Sequence, residues 1–354
     1  MRMRLLAWFD EHRRELPWRH SRDPYSIWVS EVMLQQTTVK AVTPLFIKFV
    51  ERFPTLSNLA KATEQEVLHA WQGLGYYRRA RWLHQAARQI VSEFNGQFPT
   101  MPETLDMLPG IGRYTRNAIL SQAFDQRLPI VEANSLRVLT RLFASRLDTK
   151  SSAGSAWLWN AAEEMLPKTR CGDWNQALME LGAVVCTVKT PNCQACPVRD
   201  DCQAHRLGIV GELPVTSKRA LRIEEREVGL LLRSPAGFLI VQRPASARRW
   251  GMMWSIPTRT IDAGLNEIDA GRVLATDIGL KQPVLRPHAR QSYIVTRHRI
   301  TLIVFAVRDR VGKLNLSSWA DHRWVTAAEA KYYPMSTHQR RLFNDAQPTL
   351  FDES

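Results

Sequence analysis

The sequence predicts two domains of different fold class, an all-α domain followed by an α+β domain. The chain is 354 residues long, which is more than one domain usually holds. Up to residue 210, apolar positions recur three and four apart between short turns, as in YRRARWLHQAARQIVSEF, and this is helical spacing. Beyond residue 223, short β-rich runs take over. We therefore expect an all-α domain over 1–210, a linker over 211–223, an α+β domain over 224–343 and a flexible tail over 344–354.

The second domain is predicted from five β-rich runs and one helical segment. The runs are EVGLLLRS, GFLIVQRP, MMWSIPTRTI, QSYIVTRH and ITLIVFAVRD. The helical segment, LNEIDAGRVLATDIG, lies between the third and the fourth run. This order is typical of a mixed sheet with packed helices. The polar stretch GELPVTSKRALRIEERE ahead of the runs indicates the linker.

Composition and charge narrow the class of protein. Hydrophobic residues make up 45% of the chain, enough for a core in each half. Lys and Arg outnumber Asp and Glu by 48 to 34, and the resulting charge of +14 suits a polyanionic partner. No apolar run is long enough for a transmembrane helix, and the charged N-terminal segment predicts an amphipathic helix instead of a signal peptide. We expect a cytoplasmic, nucleoid-associated protein whose cysteines are reduced.

Four cysteines predict a metal centre. Cys186, Cys193, Cys196 and Cys202 follow the spacing C-x6-C-x2-C-x5-C, so four thiolates fall in the single loop 186–202. Zinc also accepts four thiolates, commonly from two C-x2-C pairs. Only one such pair is present here, inside wider loops, and this favours a [4Fe–4S] cluster. Cys171 lies outside the set and is expected to be a small buried residue.

The segment LPGIGRYTRNAIL places two glycines at the start of a predicted helix. Gly110 and Gly112 permit a tight turn and close approach of the backbone to a ligand. The free N–H groups and the positive dipole end of the helix that follows suit a phosphate. An ordinary interhelical turn is the alternative. The Leu-Pro before the glycines and the apolar helix after them match a DNA-binding helix–hairpin–helix element.

With these motifs, the sequence resembles the helix–hairpin–helix DNA glycosylases, and within them the MutY-type adenine DNA glycosylases. The matching segments are ELPWR, WVSEVMLQQTTV, WQGLGYYRRAR, LPGIGRYT, IVEANSLRVLTRLF and the cysteine loop. The resemblance is close over 1–210 and looser beyond. It implies a helix–hairpin–helix glycosylase domain with a [4Fe–4S] loop, followed by a Nudix-like domain. It also implies an enzyme of base excision repair that hydrolyses the N-glycosidic bond of adenine opposite 8-oxoguanine or guanine.

The resemblance assigns two carboxylates to this reaction, which passes through a cationic sugar. Glu31, in the apolar segment WVSEVML, takes the place of the acid that protonates the departing adenine, and burial there raises a carboxyl pKa. Glu132 stands where the family has Asp, two residues before Asn134, and is one methylene longer. We expect Glu132 to stabilise the cation with help from Asn134. The alternative is that Glu132 serves as a helix N-terminal acid.

Four further residues take roles from the resemblance. Tyr114 stands where related glycosylase-lyases carry the Lys that forms a Schiff base, so a monofunctional enzyme is expected. The alternative for Tyr114 is a packed aromatic at a helix start. Gln36 and Tyr76 match residues that fill the base stack when the target base is extruded. Arg19 resembles a residue that helps to bind near the extruded adenine.

The second half resembles a Nudix fold that recognises 8-oxoguanine. The segment GMMWSIP is similar to the G-x-W-x-x-P pattern of the family. The helix DAGRVLATDIG lacks the acidic residues that hold Mg²⁺ in catalytic Nudix proteins, so pyrophosphate hydrolysis is not expected. Where the family has an aromatic-Ser-His triplet against the lesion, this sequence has Val295-Thr296-Arg297. Thr296 is the residue expected to contact the lesion.

The expected partners are double-stranded DNA with an A·8-oxoguanine or A·G mispair and, through the tail, the replication sliding clamp. The tail peptide Gln347-Pro348-Thr349-Leu350-Phe351 resembles a Q-x-x-L-F clamp-binding peptide. A monomer is expected. Two other functions stay open: a mismatch glycosylase of shifted base preference, such as a thymine remover, and a lesion-binding protein that has lost turnover. Kinetics separates them, because a binding protein holds the mispair without releasing a base.

Overall fold

The computed structural model of the protein describes residues 1–217, 222–247, 249–295, 297–308 and 313–344. Its contacts divide the chain into two compact units. The first unit comprises Met1–Ala62 and Arg81–Lys218, and the second comprises Thr63–Ala80 and Arg219–Ser354. The segment Thr63–Ala80 thus packs with the second unit, although it lies inside the range predicted for the first domain.

The N-terminal 217 residues are helical. Short 3-10 turns lie at Pro17–Arg19, Cys193–Ala195, Arg199–Asp201 and Val210–Glu212. The α-helices are α1 (Arg2–His12), α2 (Pro24–Leu34), α3 (Val39–Arg52), α4 (Leu56–Lys61), α5 (Glu64–Ala70), α6 (Arg78–Glu93), α7 (Pro102–Asp106), α8 (Arg113–Phe124), α9 (Ala133–Leu142), α10 (Ser152–Met165), α11 (Cys171–Val184) and α12 (Gln203–Arg206).

Local sequence explains where the helices around the site begin and end. Asp23 caps α2 by accepting hydrogen bonds from the first turn, and Pro24 occupies the first helical position. The apolar run from α2 into α3 is interrupted at Gln36, whose φ of 57° is left-handed, and Thr38 caps α3. Helix α11 packs against α1, α8 and α9, which fixes the helices that carry the candidate site.

The second unit contains a mixed sheet with helices on its faces. The strands are β1 (Ile223–Ser234), β2 (Gly237–Gln242), β3 (Trp254–Ser255), β4 (Thr258–Thr260), β5 (Val284–Val295), β6 (His298–Arg308) and β7 (Asp321–Val325). The order is β3-β2-β1-β6-β5, while β4 pairs with β1 and β7 with β2. Strands β1 and β6 are parallel and the other pairs are antiparallel. Apolar side chains of the two sheet faces form separate cores, one with α13 (Glu267–Asp277) and one with α14 (Thr337–Asn344).

The predicted order, an all-α part followed by an α+β part, is confirmed. One detail was wrong: the run MMWSIPTRTI forms two short strands, because Ile256 and Pro257 interrupt the ladder. Strand β7 and helix α14 were not predicted from the sequence. Within the described residues, no helix has both the length and the apolar character needed to cross a membrane.

Candidate active site

A cavity of about 600 Å³ in the first unit is lined by residues of α2, α8, α9 and α11 and of the segment before α2. The structure brings together at this cavity a group of the residues predicted from the sequence: Glu31, Tyr114, Glu132, Asn134, Arg19 and Gln36. The other lining residues are Arg14, Leu16, Trp18, Leu34, Gln35, Thr37, Thr38, Val39, Gln122, Ala133, Gln176, Met179, Glu180 and Ala183.

Glu31 is a buried carboxyl at the wall of the cavity, with 5% of its surface exposed. Its two oxygens accept hydrogen bonds from neutral donors: the hydroxyl of Tyr114 at 2.5 Å and the Nε2 group of Gln122 at 2.9 Å. Burial raises the pKa of the Glu31 carboxyl above its ordinary value, and the two hydrogen bonds oppose that shift without cancelling it. A carboxyl in this environment is suited to hold and donate a proton.

Tyr114 lies in the first turn of α8 and links the hairpin to the cavity. Burial and the neighbouring Glu31 raise its pKa well above the ordinary value, so the phenol stays protonated and keeps donating. Tyr114 is thus packed at the start of a helix and also lines the cavity.

Glu132 is the N-cap of α9 and also lines the cavity. It accepts hydrogen bonds at 2.7 Å from the backbone N–H groups of Asn134 and Ser135, and at 3.1 Å from the Nδ2 group of Asn134. Burial raises the pKa of the Glu132 carboxyl above its ordinary value, and these hydrogen bonds oppose that shift without cancelling it. The extra methylene is thus accommodated by folding the carboxylate onto the helix N-terminus, whose dipole favours a negative charge.

A chain of hydrogen bonds leads from the cavity to the cysteine loop. The Oδ1 atom of Asn134 accepts from Arg137 at 2.9 Å, and Arg137 donates to the carbonyls of Cys186 at 2.7 Å and Gly182 at 2.6 Å. At Gly182, a Cβ atom would lie 2.6 Å from Cβ of Asn134, so only glycine lets α11 approach α9 this closely.

Sequence reasoning missed Glu180, which lines the same cavity as Glu31. It is fully buried and accepts hydrogen bonds from Arg14 at 2.5 and 3.0 Å and from Arg19 at 2.9 Å. Although burial raises the pKa of Glu180, the two guanidinium groups outweigh it and hold the pKa below the ordinary value. The sequence signal was a lone charge inside the apolar helix ALMELGAVV.

The four cysteines border a second, small cavity of about 30 Å³. All of them are free thiols, as expected. Arg141, which is buried, donates to the Sγ atom of Cys186 at 3.3 Å and to the carbonyl of Thr187 at 2.7 Å. Within the described residues, no three His, Cys, Asp or Glu side chains are arranged as a site for a single metal ion.

The two predicted glycines lie between α7 and α8. Gly110 has a φ of 77°, and a Cβ there would lie 2.7 Å from Cβ of Trp82. Gly112 is the N-cap of α8, and the space where its Cβ would lie is open. The turn thus presents bare backbone at the start of a helix, as phosphate binding requires.

Tyr76 is not among the residues that line the cavity of about 600 Å³. Tyr76 belongs to the second unit and is 42% exposed. Thr296 and the tail peptide Gln347–Phe351 lie outside the described residues.

Comparison with known proteins gives the family. Residues 29–159 match the family model described as HhH-GPD superfamily base excision DNA repair protein, and residues 227–345 match that of the NUDIX domain. The chain is 47% identical over 214 residues to an adenine DNA glycosylase of Rattus norvegicus, a match that covers 58% of this chain but 42% of the relative. It is 31% identical over 301 residues to the adenine DNA glycosylase of Buchnera aphidicola subsp. Schizaphis graminum, covering 85% of this chain and 86% of that one.

A solved structure supports the same placement. The structure of a thermostable thymine-DNA glycosylase matches with a TM-score of 0.53 and 30% identity, and it covers 58% of this chain and 95% of the other. The chain spans about two fifths of the length of the mammalian relatives that it matches. Its similarity to the Buchnera relative nevertheless runs through both halves. The chain therefore belongs to the adenine DNA glycosylase family, within the HhH-GPD superfamily of base excision DNA repair proteins.

Proposed function

We propose that the chain is a monofunctional glycosylase that hydrolyses the N-glycosidic bond of adenine mispaired with 8-oxoguanine or guanine. The observation that carries this proposal is the buried Glu31 carboxyl, held by two neutral donors at a cavity of about 600 Å³. A cavity of this size falls in the range of small-molecule sites, as is needed for a base extruded from a duplex.

In the proposed reaction, Glu31 gives its proton to a ring nitrogen of adenine. The bond between the sugar C1′ and the base then breaks, and its electron pair leaves with the base. A water molecule adds to C1′ of the resulting cation and releases a proton, which restores the acid. Burial raises the pKa of both carboxyls, and the ionised role falls to Glu132 because three N–H groups and a helix N-terminus face it, whereas Glu31 has two neutral donors. Its negative charge stabilises the cation.

The lining of the cavity supports hydrolysis without lyase chemistry. A Schiff base with the abasic sugar requires an amine. Among the described residues that line the cavity none is a lysine, and Tyr114 uses its hydroxyl to hold Glu31.

We propose that Cys186, Cys193, Cys196 and Cys202 hold a [4Fe–4S] cluster. Four free thiols bordering one cavity, with Arg141 donating to one of them, fit the thiolate ligands that such a cluster needs. When bound, the cluster cross-links the loop 186–202.

DNA phosphates bind at the turn of Gly110 and Gly112, with Gln36 and Tyr76 at the opened stack. Arg19 borders the extruded adenine, and Thr296 contacts the lesion. The tail 347–351 binds the sliding clamp, and the protein acts as a monomer on nucleoid DNA.

A second candidate function is removal of thymine from a T·G mispair. It is favoured by the 30% identity to a solved thymine-DNA glycosylase. The NUDIX match over 227–345 favours the adenine enzyme, because the adenine DNA glycosylase of Buchnera matches 85% of this chain, whereas the thymine-DNA glycosylase matches 58%.

The test is single-turnover base release from duplexes with A·8-oxoguanine, A·G, T·G and, as the matched pair, A·T. We expect adenine release from the first two, fastest opposite 8-oxoguanine, and none from T·G or A·T. The Glu31→Gln variant, purified in parallel, excludes a contaminating glycosylase.

Three results would contradict the proposal in different ways. Thymine release from T·G alone would establish the second candidate. Tight binding of the mispair without release of any base would leave a lesion-binding protein. Strand cleavage through a borohydride-trapped intermediate would refute the monofunctional reaction.

A further inference from the structure

The turn that carries Tyr76 is built as part of the second unit. The segment Thr63–Ala80 contains α5 and the start of α6, and it packs with the C-terminal part of the chain. Trp71, Leu74 and Tyr77 are buried there. Tyr76, between them, is exposed, so one aromatic side chain projects from a turn whose other aromatic residues are buried.

Side-chain hydrogen bonds hold this turn on both sides of Tyr76. Before it, Gln72 donates to the carbonyl of Tyr333 at 3.0 Å and accepts from Arg340. After it, the hydroxyl of Tyr77 donates to the carbonyl of Met335 at 3.2 Å. These three partners belong to the stretch 333–340, whose last four residues form the start of α14.

The backbone of the turn needs this support. Tyr76 has a φ of 46°, in the left-handed region that side chains rarely adopt, and it follows Gly73 and Gly75 with φ values of 97° and 66°. The Nε1 group of Trp71 closes the turn by donating to the carbonyl of Gly75 at 3.2 Å. A strained residue persists where its surroundings fix it, and here those surroundings include residues 333–340.

We propose that the stretch 333–340 of the second domain positions Tyr76 for opening the base stack, with Gln72, Tyr77 and Arg340 as positioning residues. This inference rests on the proposed function, in which an adenine is extruded from a duplex. An aromatic ring that fills the space of an extruded base must arrive in a fixed orientation to stack on its neighbours. The domain expected to recognise the lesion therefore also sets the side chain that opens the stack.

The first experiment measures stack opening directly. A duplex with A·8-oxoguanine carries 2-aminopurine beside the target adenine, and its fluorescence rises when stacking is lost. In the Glu31→Gln background, which stops the chemistry, we expect Arg340→Met to lose most of the rise, as Tyr76→Ala does. Arg340→Lys keeps a cation that can donate to Gln72 and should regain most of the rise. Arg341→Met, the exposed neighbour on α14, is the matched control and should leave the rise unchanged.

The second experiment separates positioning from a general structural defect. Adenine facing an abasic site has no pairing partner and is extruded at lower free-energy cost than adenine facing 8-oxoguanine. We expect Arg340→Met, with Glu31 intact, to lower the rate on the A·8-oxoguanine duplex about tenfold and on the abasic duplex less than about twofold. Tyr77→Phe, which removes a single hydroxyl, should change the ratio of the two rates in the same direction.

The outcomes distinguish this inference from the proposed function. Equal losses on both duplexes, or a fluorescence rise in Arg340→Met and Tyr77→Phe equal to that of the parent, would overturn the positioning role. If the unmodified protein releases no adenine, the proposed function fails, and the fluorescence comparison still decides whether 333–340 positions Tyr76.

Discussion

Two residues of the same type line the cavity in opposite electrostatic states. Glu31 and Glu180 are both buried glutamates that line one space. The partners of Glu31 are a phenol and an amide, so burial dominates and its pKa is raised. The partners of Glu180 are two guanidinium groups, and its pKa is lowered.

This difference shows that partners, more than burial, decide what a buried carboxyl can do. The carboxyl of Glu31 can hold a proton and release it to a leaving base, whereas Glu180 is fixed as an anion. Arg19 acts on both glutamates. Its positive charge lowers the pKa of Glu31, and its guanidinium group forms an ion pair with Glu180. The ion pairs of Glu180 therefore help to keep Glu31 protonated.

The largest effect is expected from removing the acid. Glu31→Gln keeps the size of the side chain and an oxygen that can accept from Tyr114, but it has no proton to give. Because general acid catalysis contributes about 10² to 10⁴ in rate, we expect single-turnover adenine release to fall about 10³-fold. Glu51→Gln, an exposed change, is the control. A loss of less than about tenfold would mean that Glu31 is not the acid.

The next effect concerns the charge that faces the sugar. Glu132→Gln keeps an oxygen for the N-terminus of α9 but removes the negative charge, and we expect release to slow about 10²-fold. Glu132→Asp keeps both the charge and a favourable N-cap, so its rate should stay within about tenfold of the parent. Rates of both variants on the A·8-oxoguanine duplex check this. Equal rates for Glu132→Gln and the parent would leave the residue as a helix cap alone.

Removing the charge of Glu180 should act first on the stability of the fold. Glu180→Gln removes the anion from a buried site that holds two arginines, and loss of one member of a buried ion pair costs about 3 kcal/mol or more. Arg14 keeps part of its side chain in water, so we expect the lower end of that range for the free energy of unfolding. Denaturant unfolding measures it. Asp173→Asn, on the same helix, is the control because Asp173 is itself partly exposed and its partner Arg170 keeps a second anion, Asp10. Unchanged stability in Glu180→Gln would refute the buried ion pairs.

A smaller expected effect is a dependence of the free energy of unfolding on pH through Glu31. Its pKa is raised in the folded protein, so between the ordinary and the raised pKa the unfolded chain is ionised while the folded chain keeps the proton. Stability is therefore lost as pH rises through that window, by at most about 1.4 kcal/mol per pH unit. Glu31→Gln removes this loss, and its stability relative to the parent should increase with pH and then level off. A difference that is constant from acid to alkaline pH would contradict the raised pKa.

The sequence predicted Glu31 as a site residue but not Glu180. The segment WVSEVML carried a recognisable pattern that includes Glu31, and the resemblance supplied its role. Glu132 lines the cavity together with Glu31, but the folding of its carboxylate onto the backbone of α9 depends on local geometry that spacing does not encode. Glu180 was missed because its partners Arg14 and Arg19 lie more than 160 positions away along the chain.

The same limit applies to the fold. Helices with regular apolar spacing were predictable, because that pattern is local. Strand β7, by contrast, is defined by its pairing with β2, and its sequence DHRWV has too few apolar residues to reveal a strand. The membership of Thr63–Ala80 in the second unit rests on hydrogen bonds to residues about 260 positions away, which no local pattern reports.

The most direct test of the contrast between Glu31 and Glu180 is the pH profile of adenine release under single-turnover conditions. Release should fall on the alkaline side as Glu31 loses its proton. Tyr114→Phe removes a hydrogen bond that lowers the pKa of Glu31, so its alkaline limb should move to higher pH. Glu180→Gln leaves the charge of Arg19 uncompensated, so its limb should move to lower pH. If both variants keep the alkaline limb of the parent, Glu31 is not the titrating acid and the account is wrong.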